Sequence, residues 1–404
     1  MPERAKGRAW PGPRPHPRSA YIKALLVKLK EGYPYITELR RMLIKHPVLV
    51  LLLGFQPVPD ATARYGFNVE QTVPGDRWLR AVQQHLDNDG LQRLLAGTVR
   101  ALAAEIPQLG ETVAIDVKHI FAWVKQNNPK VQMAERFNPD QQPAGDPDCR
   151  LGVKKSHNHL EPDGTSHAHK EYVWGYGTGV ASAIVPRYGD VVLAEYTQPF
   201  NETDITYFEP ILKRTRAALG FSPKNWVGDA AFDAWPVYQA AAEAGGLAAV
   251  PLNLRGQAAS ELDGRGFPLC ARGLPMYAGR QIDSQEGFRV QYLSCPLLHP
   301  TPTGTACEHE QFVKGPGCTK QVNLELGGLQ RLSLDRHSEA YRCLYNQRTS
   351  TERINSQATA FGIERPRVRN CRSVCNLNTL TYILINARAL RRVRAVNAHP
   401  PPHT

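Results

Sequence analysis

Two short apolar segments, each carrying an aspartate, constrain this chain most. ETVAIDVKHIFAW begins at Glu111 and NWVGDAAFDAW begins at Asn225. Each reads as a strand with an Asp near its end, and the second leads into a helix running to about Ala244. Further strand-like runs fall at 172–185, at 191–197 and at LAAVPL, with a helix over about 204–219. Strands alternating with helices predict an α/β core.

The flanking regions read differently. Residues 1–18 are rich in Pro and Arg, which predicts a disordered basic tail. Residues 19–110 read as a helical, DNA-binding region. Within it TELRRMLIKHP is a short amphipathic helix stopped at Pro47. Leu91, Leu94, Leu95, Val99 and Leu102 mark one apolar helix face. Residues 111–255 form the first part of the α/β core. The Gly-, Pro- and Cys-dense block 256–325 reads as an inserted β-rich subdomain. Residues 326–394 return to the core as helices, and 395–404 form a tail. The polar stretch 127–170 reads as a surface segment.

Charge points to a polyanion. The chain carries 49 Lys and Arg against 37 Asp and Glu, a net +12. The excess sits at the ends. The first thirty residues hold eight basic side chains against Glu3 alone, and after Glu364 there are eight Arg and no acid. Basic arms on a nearly neutral body suit phosphate contacts, since each releases condensed counterions. Solvated tails would carry the same composition. The longest apolar run, VLVLLLGF from Val48, is far short of the roughly 20 residues that span a bilayer. With no targeting segment, the expectation is a soluble, cytoplasmic protein. Eight scattered cysteines in 404 residues fit a reducing compartment.

Three acids stand in contexts suited to phosphodiester chemistry: Asp116 in VAID, Asp229 in WVGD and Glu352 in YNQRTSTERIN. Hard divalent ions such as Mg²⁺ take carboxylate oxygens and need neither His nor Cys. Each acid also has a structural reading. Asp116 and Asp229 can serve as turn or cap residues, as can Asp233, and Glu352 can be balanced by Arg348 or Arg353. Arg348 lies four residues before Glu352, the spacing of one helix face. There it can form a salt bridge or hold a phosphate bidentately.

Tyr345, Arg348 and Glu352 form Y-x2-R-x3-E. That motif, with VAIDVKH, VGDAAFDAWPVY and the Cys-bearing block CPLLHPTPTGTACEHEQFVKGPGC, resembles the DDE transposases of bacterial insertion sequences over residues 35–390. The resemblance implies a ribonuclease-H-like mixed sheet flanked by helices. It implies Asp116, Asp229 and Glu352 as catalytic ligands of Mg²⁺, with Mn²⁺ as substitute. It implies Tyr345 and Arg348 as contacts to DNA phosphates. The expected partners are element-end DNA and target DNA, with a homodimer to bring two ends together. The group often carries Lys seven residues after the Glu, where this chain has Thr359. A nuclease without strand transfer, or a DNA-binding protein that has lost catalysis, are the alternatives.

Cys270, Cys295, Cys307 and Cys318, with His299 and His309 nearby, offer soft ligands for a structural Zn²⁺, although no C-x2-C knuckle is present. Reduced packing cysteines are the other reading. Cys371 and Cys375 read as helix packing residues. The His157/His159 and His167/His169 pairs read as a polar loop or a metal site.

Overall fold

The computed structural model describes residues 16–160, 166–254, 260–285 and 287–398, with backbone alone at 155–160 and 166–169. The first fifteen residues of the basic tail and the last six of the chain lie outside the described residues, as do the His157, His159, His167 and His169 side chains.

The chain is mixed α/β, with both parallel and antiparallel strand pairs. Six helices come first: α1 (Arg18–Lys30), α2 (Ile36–Lys45), α3 (Pro47–Leu53), α4 (Val69–Thr72), α5 (Asp76–His85) and α6 (Asn88–Ala103). Then follow β1 (Thr112–Phe121), β2 (Arg150–Leu160), β3 (Ser166–Val185), β4 (Gly189–Pro199), α7 (Phe208–Leu219), β5 (Asn225–Val227), α8 (Trp235–Glu243) and β6 (Ala248–Ala249). The rest is β7 (Tyr277–Asp283), β8 (Arg289–Ser294), α9 (Glu310–Val313), β9 (Thr319–Asn323), α10 (Leu326–Ser333), α11 (Glu339–Tyr345), α12 (Thr349–Ala360) and α13 (Cys371–Ala398). Among the described residues no helix is long and apolar enough to cross a membrane.

Contacts divide the chain into two units. The first comprises residues up to Gly110, Asp116–Gly220 and Thr349 onward; the second comprises Glu111–Ile115 and Phe221–Arg348. Strand β1 passes from the second unit into the first.

The first unit is organised by α13. Its apolar residues are spread around the helix, so it buries more than one side. Leu377, Leu380 and Leu384 join the core of the N-terminal helices, including Leu25, Leu39, Leu43 and Leu79. Val374, Tyr382, Ile383 and Ile385 join the core under the strands, with Trp174, Val180 and Val192. The N-terminal helices therefore share a core with the end of the chain. On α6, Leu91, Leu95, Val99 and Leu102 are buried, while Leu94 is 41% exposed. The buried stripe follows 3.6-residue spacing, and Leu94 falls beside it.

Buried polar residues of α13 are matched to strand β4. The Asn386 amide accepts from Val192 N–H at 2.9 Å and donates to its carbonyl at 2.8 Å. Thus a side chain satisfies backbone groups that a neighbouring strand would otherwise satisfy. Glu195, 1% exposed, accepts hydrogen bonds from Gln92 of α6, Thr379 of α13 and Thr197.

Strand β3 pairs antiparallel with both β2 and β4. Its glycines admit close packing: a Cβ at Gly177 would stand 2.0 Å from the Tyr207 hydroxyl oxygen. The sequence places 127–170 on the surface as a polar segment, yet β2 and the start of β3 form a hairpin there, with His159 opposite His167 in register. Cross-strand backbone bonding overrides the low strand preference of this polar stretch.

In the second unit the first residues of β1 pair in parallel with β5, which pairs in parallel with β6. Ala114, Val227 and Ala249 from these strands bury Tyr341 of α11. Strands β7, β8 and β9 form a separate antiparallel sheet around Cys270, Met276, Leu293 and Val322.

Candidate active site

Helix α12 is clamped in the first unit by its buried face. Ser350, Thr351, Ile354 and Ala358 are buried. The Ser350 hydroxyl bonds that of Ser182 on β3 at 2.7 Å. Arg353 grips Asp190 of β4 with two bonds of 2.7 Å. A bidentate pair of this kind fixes orientation as well as charge. Asp190 is therefore the salt-bridge partner of Arg353. Glu352 is left on the exposed face.

Asp116 stands in the middle of β1, because buried Ile120 and Phe121 continue the strand beyond it. The neighbouring polar residues are engaged: Lys118 pairs with Glu364 at 3.1 Å, and the His119 ring packs on Phe200 at 4.3 Å. Burial, with Lys154 and Lys118 nearby, pushes the His119 pKa down to about 4. The Asp116 carboxylate accepts a hydrogen bond from the Asn355 amide nitrogen at 2.9 Å. Asn355 lies three residues after Glu352 in α12, so the two share a helix face with Cβ atoms about 5–6 Å apart. The first unit thus joins Asp116 to the Glu352 face of α12. The Asn355 amide oxygen is buried and has no hydrogen-bond partner among the described residues. A buried acceptor left empty is costly and marks a place for a donor, a water or a cation. Sequence reasoning passes over Asn355; its spacing from Glu352 is the signal that could have found it.

Asp229 belongs to the second unit, at the end of β5. One of its oxygens accepts from Ala231 N–H at 2.9 Å and caps a short 3₁₀ turn, Ala230–Phe232. The ladder between the first residues of β1 and β5 ends at the pair Ala114–Val227. Asp233 accepts two bonds from Arg331, at 2.7 and 2.6 Å, and one from Tyr238. Burial alone would raise its pKa, but Arg331 and Asn253 N–H hold it below the usual carboxylate range. Asp233 is a structural acid tying α10 to α8.

Tyr345 ends α11, half-buried, and stacks on Tyr341 with centroids 5.8 Å apart. Arg348 ends a 3₁₀ turn, Asn346–Arg348, and α12 begins at Thr349. The 3₁₀ turn runs directly into the helix that carries Glu352.

Among the described residues no three or more His, Cys, Asp or Glu side chains are grouped as a metal-ion shell. In the second unit, register sets Cys295 and Cys318 opposite each other, one step beyond the pair Ser294–Thr319. Cys270 opens a turn in which Leu274 N–H points at its sulfur at 3.4 Å. Cys307 is half-buried on the loop before α9. His299 stacks on Tyr277, and His309 caps α9. On α13 the Cys371 and Cys375 sulfurs lie 3.7 Å apart. Burial and the neighbouring Cys295 and Cys270 push the Cys318 thiol up to about 11, and burial beside Asp146 pushes Cys149 up to about 12. Thiolate is the reactive form. Exposed Cys343 should be open to a maleimide at pH 7, while Cys149 and Cys318 stay unmodified. Mass mapping of the labelled peptides checks this. Chelator-dependent labelling of Cys270, Cys295, Cys307 and Cys318 would instead reveal bound Zn²⁺.

No protein-family model matches this chain, and no curated protein matches it.

Proposed function

We propose that the chain is a DNA transposase of the DDE type with a ribonuclease-H-like core. It cleaves element ends and joins them to target DNA through Asp116, Asp229 and Glu352. The observation that carries this reading is the Asn355 bridge, which sets Asp116 beside the Glu352 face of α12 and leaves a buried amide oxygen unpartnered among the described residues. The Asp116 carboxylate and the Asn355 amide oxygen are donors of the kind a hard divalent cation takes. Asp229 is included as the third ligand on the strength of the VGDAAFDAWPVY segment. Bound Mg²⁺, or Mn²⁺ in its place, supplies charge neutralisation at the scissile phosphate and activation of the attacking water or 3′-hydroxyl.

The protein's own residues position these acids. Asn355 orients Asp116, and the Arg353–Asp190 pair with the Ser350–Ser182 bond holds α12 in place. Arg348 and Tyr345 are proposed to contact DNA phosphates near the cleaved bond. Two element ends must be joined, so a homodimer on DNA is part of the proposal. Soft-ligand Zn²⁺ at Cys270, Cys295, Cys307 and Cys318 remains separate from the chemistry.

The test uses the purified chain, Mg²⁺ and labelled duplex DNA carrying the sequences that flank its gene. Nicks with free 3′-hydroxyls and joined products support the proposal. Nicks without joined products would make it a nuclease, and DNA binding without nicks would make it a binding protein. Asn355→Ala should lower cleavage about 10–100-fold, the usual cost of removing a group that orients a metal ligand. Its melting temperature should change little. Equal cleavage by this variant and the native chain would remove Asn355 from the site.

A further inference from the structure

A second feature of the first unit points to where the DNA strand runs. The end of α1, the turn after it and the chain leaving α12 enclose a cavity of about 200 Å³. Lys28, Tyr33, Thr359, Arg365, Arg367 and Leu377 contribute to its walls. Lys28 is 6% exposed, and among the described residues it makes no hydrogen bond or ion pair. Burying an unpaired ammonium is costly unless something balances it. Arg365 lies over the Phe121 ring at 4.2 Å and Arg367 over Trp123 at 5.8 Å. Aromatic faces hold these two guanidinium groups without neutralising them. The acid felt by Lys28 is Glu38 of α2, whose carboxylate accepts from Tyr35 N–H at 3.0 Å. The cavity therefore has Lys28, Arg365 and Arg367 among its wall residues and a volume sufficient for a phosphate group.

We propose that this cavity binds a backbone phosphate of DNA, with Lys28 as its buried charge and Arg365 and Arg367 at its walls. The inference rests on the DNA-processing reading above. Thr359, on the cavity wall, lies seven residues after Glu352 in α12, about 10 Å along the helix axis. That distance spans about three nucleotides of B-form strand. A strand seated here would therefore pass from the Glu352 face toward the α1 end, which gives the N-terminal helices a direct part in holding DNA.

The test is fluorescence anisotropy of a labelled 20-base-pair duplex with the full chain in EDTA. No catalysis is required, so failure of the cleavage reading leaves the result interpretable. Lys28→Met should weaken binding about tenfold. It should also reduce the salt slope by about one. Lys45→Met, at an exposed position on α2, serves as the control for general charge. Arg365→Gln should resemble Lys28→Met and give a second variant should the first fold poorly. Equal losses in Lys28→Met and Lys45→Met would overturn the proposal, as would an unchanged affinity and slope in Lys28→Met. Inorganic phosphate provides the other arm. If it raises the melting temperature of the native chain but not of Lys28→Met, while DNA affinity is equal in both, the cavity takes a free anion and the proposal fails.

Discussion

Asp116→Asn, Asp229→Asn and Glu352→Gln should each fold and bind DNA yet lose cleavage and strand transfer by on the order of a thousandfold or more. A bound divalent ion contributes several kcal/mol to the transition state, and each 1.36 kcal/mol is tenfold in rate. A neutral amide keeps the shape of the carboxylate but binds a hard cation far more weakly. The structural cost should be small at each position. Asn serves at an N-cap about as well as Asp, so Ala231 N–H keeps its partner when Asp229 is changed. The amide oxygen of Asn at position 116 can still accept from Asn355. Glu352 is exposed, where substitutions cost about 0.5 kcal/mol or less. Gel analysis of 3′-labelled products with Mg²⁺ measures the loss, and thermal melting confirms the fold. Native-like cleavage by any one variant would remove that residue from the active site.

Lys28→Met should stabilise the protein at neutral pH by up to about 3 kcal/mol, through the removal of a buried charge. Desolvation lowers the Lys28 pKa from 10.5 to about 8, with Glu38 opposing part of the shift. The sign follows from proton binding. Between the folded value near 8 and the unfolded 10.5 the unfolded chain holds more protons, so native stability rises with pH across that window. Below about pH 8 the penalty is present in full, and above about 10.5 it is gone. Denaturant midpoints of the native chain and Lys28→Met should therefore differ most near pH 7 and converge as pH approaches 10.5. The ends of α1 and α12 offer a competing account, since helix C-termini favour a cation. A variant less stable at pH 7 would show that Lys28 serves those helix ends. A more stable variant with weaker DNA affinity would show stability given up for ligand binding.

The sequence carries the core more clearly than its boundaries. The apolar segments around Asp116 and Asp229 are legible as strands, because side-chain burial on parallel strands leaves near-continuous apolar runs. Their pairing is not, since contacts between residues 112 and 225 are non-local. The β2–β3 hairpin hides inside polar sequence, where backbone pairing decides the structure. The union of the N-terminal helices with α13 is hidden too. Leu377, Leu380 and Leu384 face one core and Tyr382, Ile383 and Ile385 another, and a pattern apolar on several sides names no partner. At the site, Glu352 is visible through its motif, whereas Asn355 draws attention only once its bond to Asp116 is seen. Arg353 reads as a counter-charge for Glu352, and Asp190, 163 residues away, also holds it.

The most direct measurement is Mn²⁺ binding followed by electron paramagnetic resonance, with the purified chain alone at neutral pH. Free Mn²⁺ gives a sharp six-line signal that is lost on binding, so the titration counts sites without requiring catalysis. The native chain should bind Mn²⁺ with saturable stoichiometry. Asp116→Asn, Asp229→Asn and Glu352→Gln should each weaken that binding, while Asp233→Asn, altered at the acid held by Arg331, should leave it unchanged. Binding that survives intact in all three variants would contradict the assignment of these acids as the metal site.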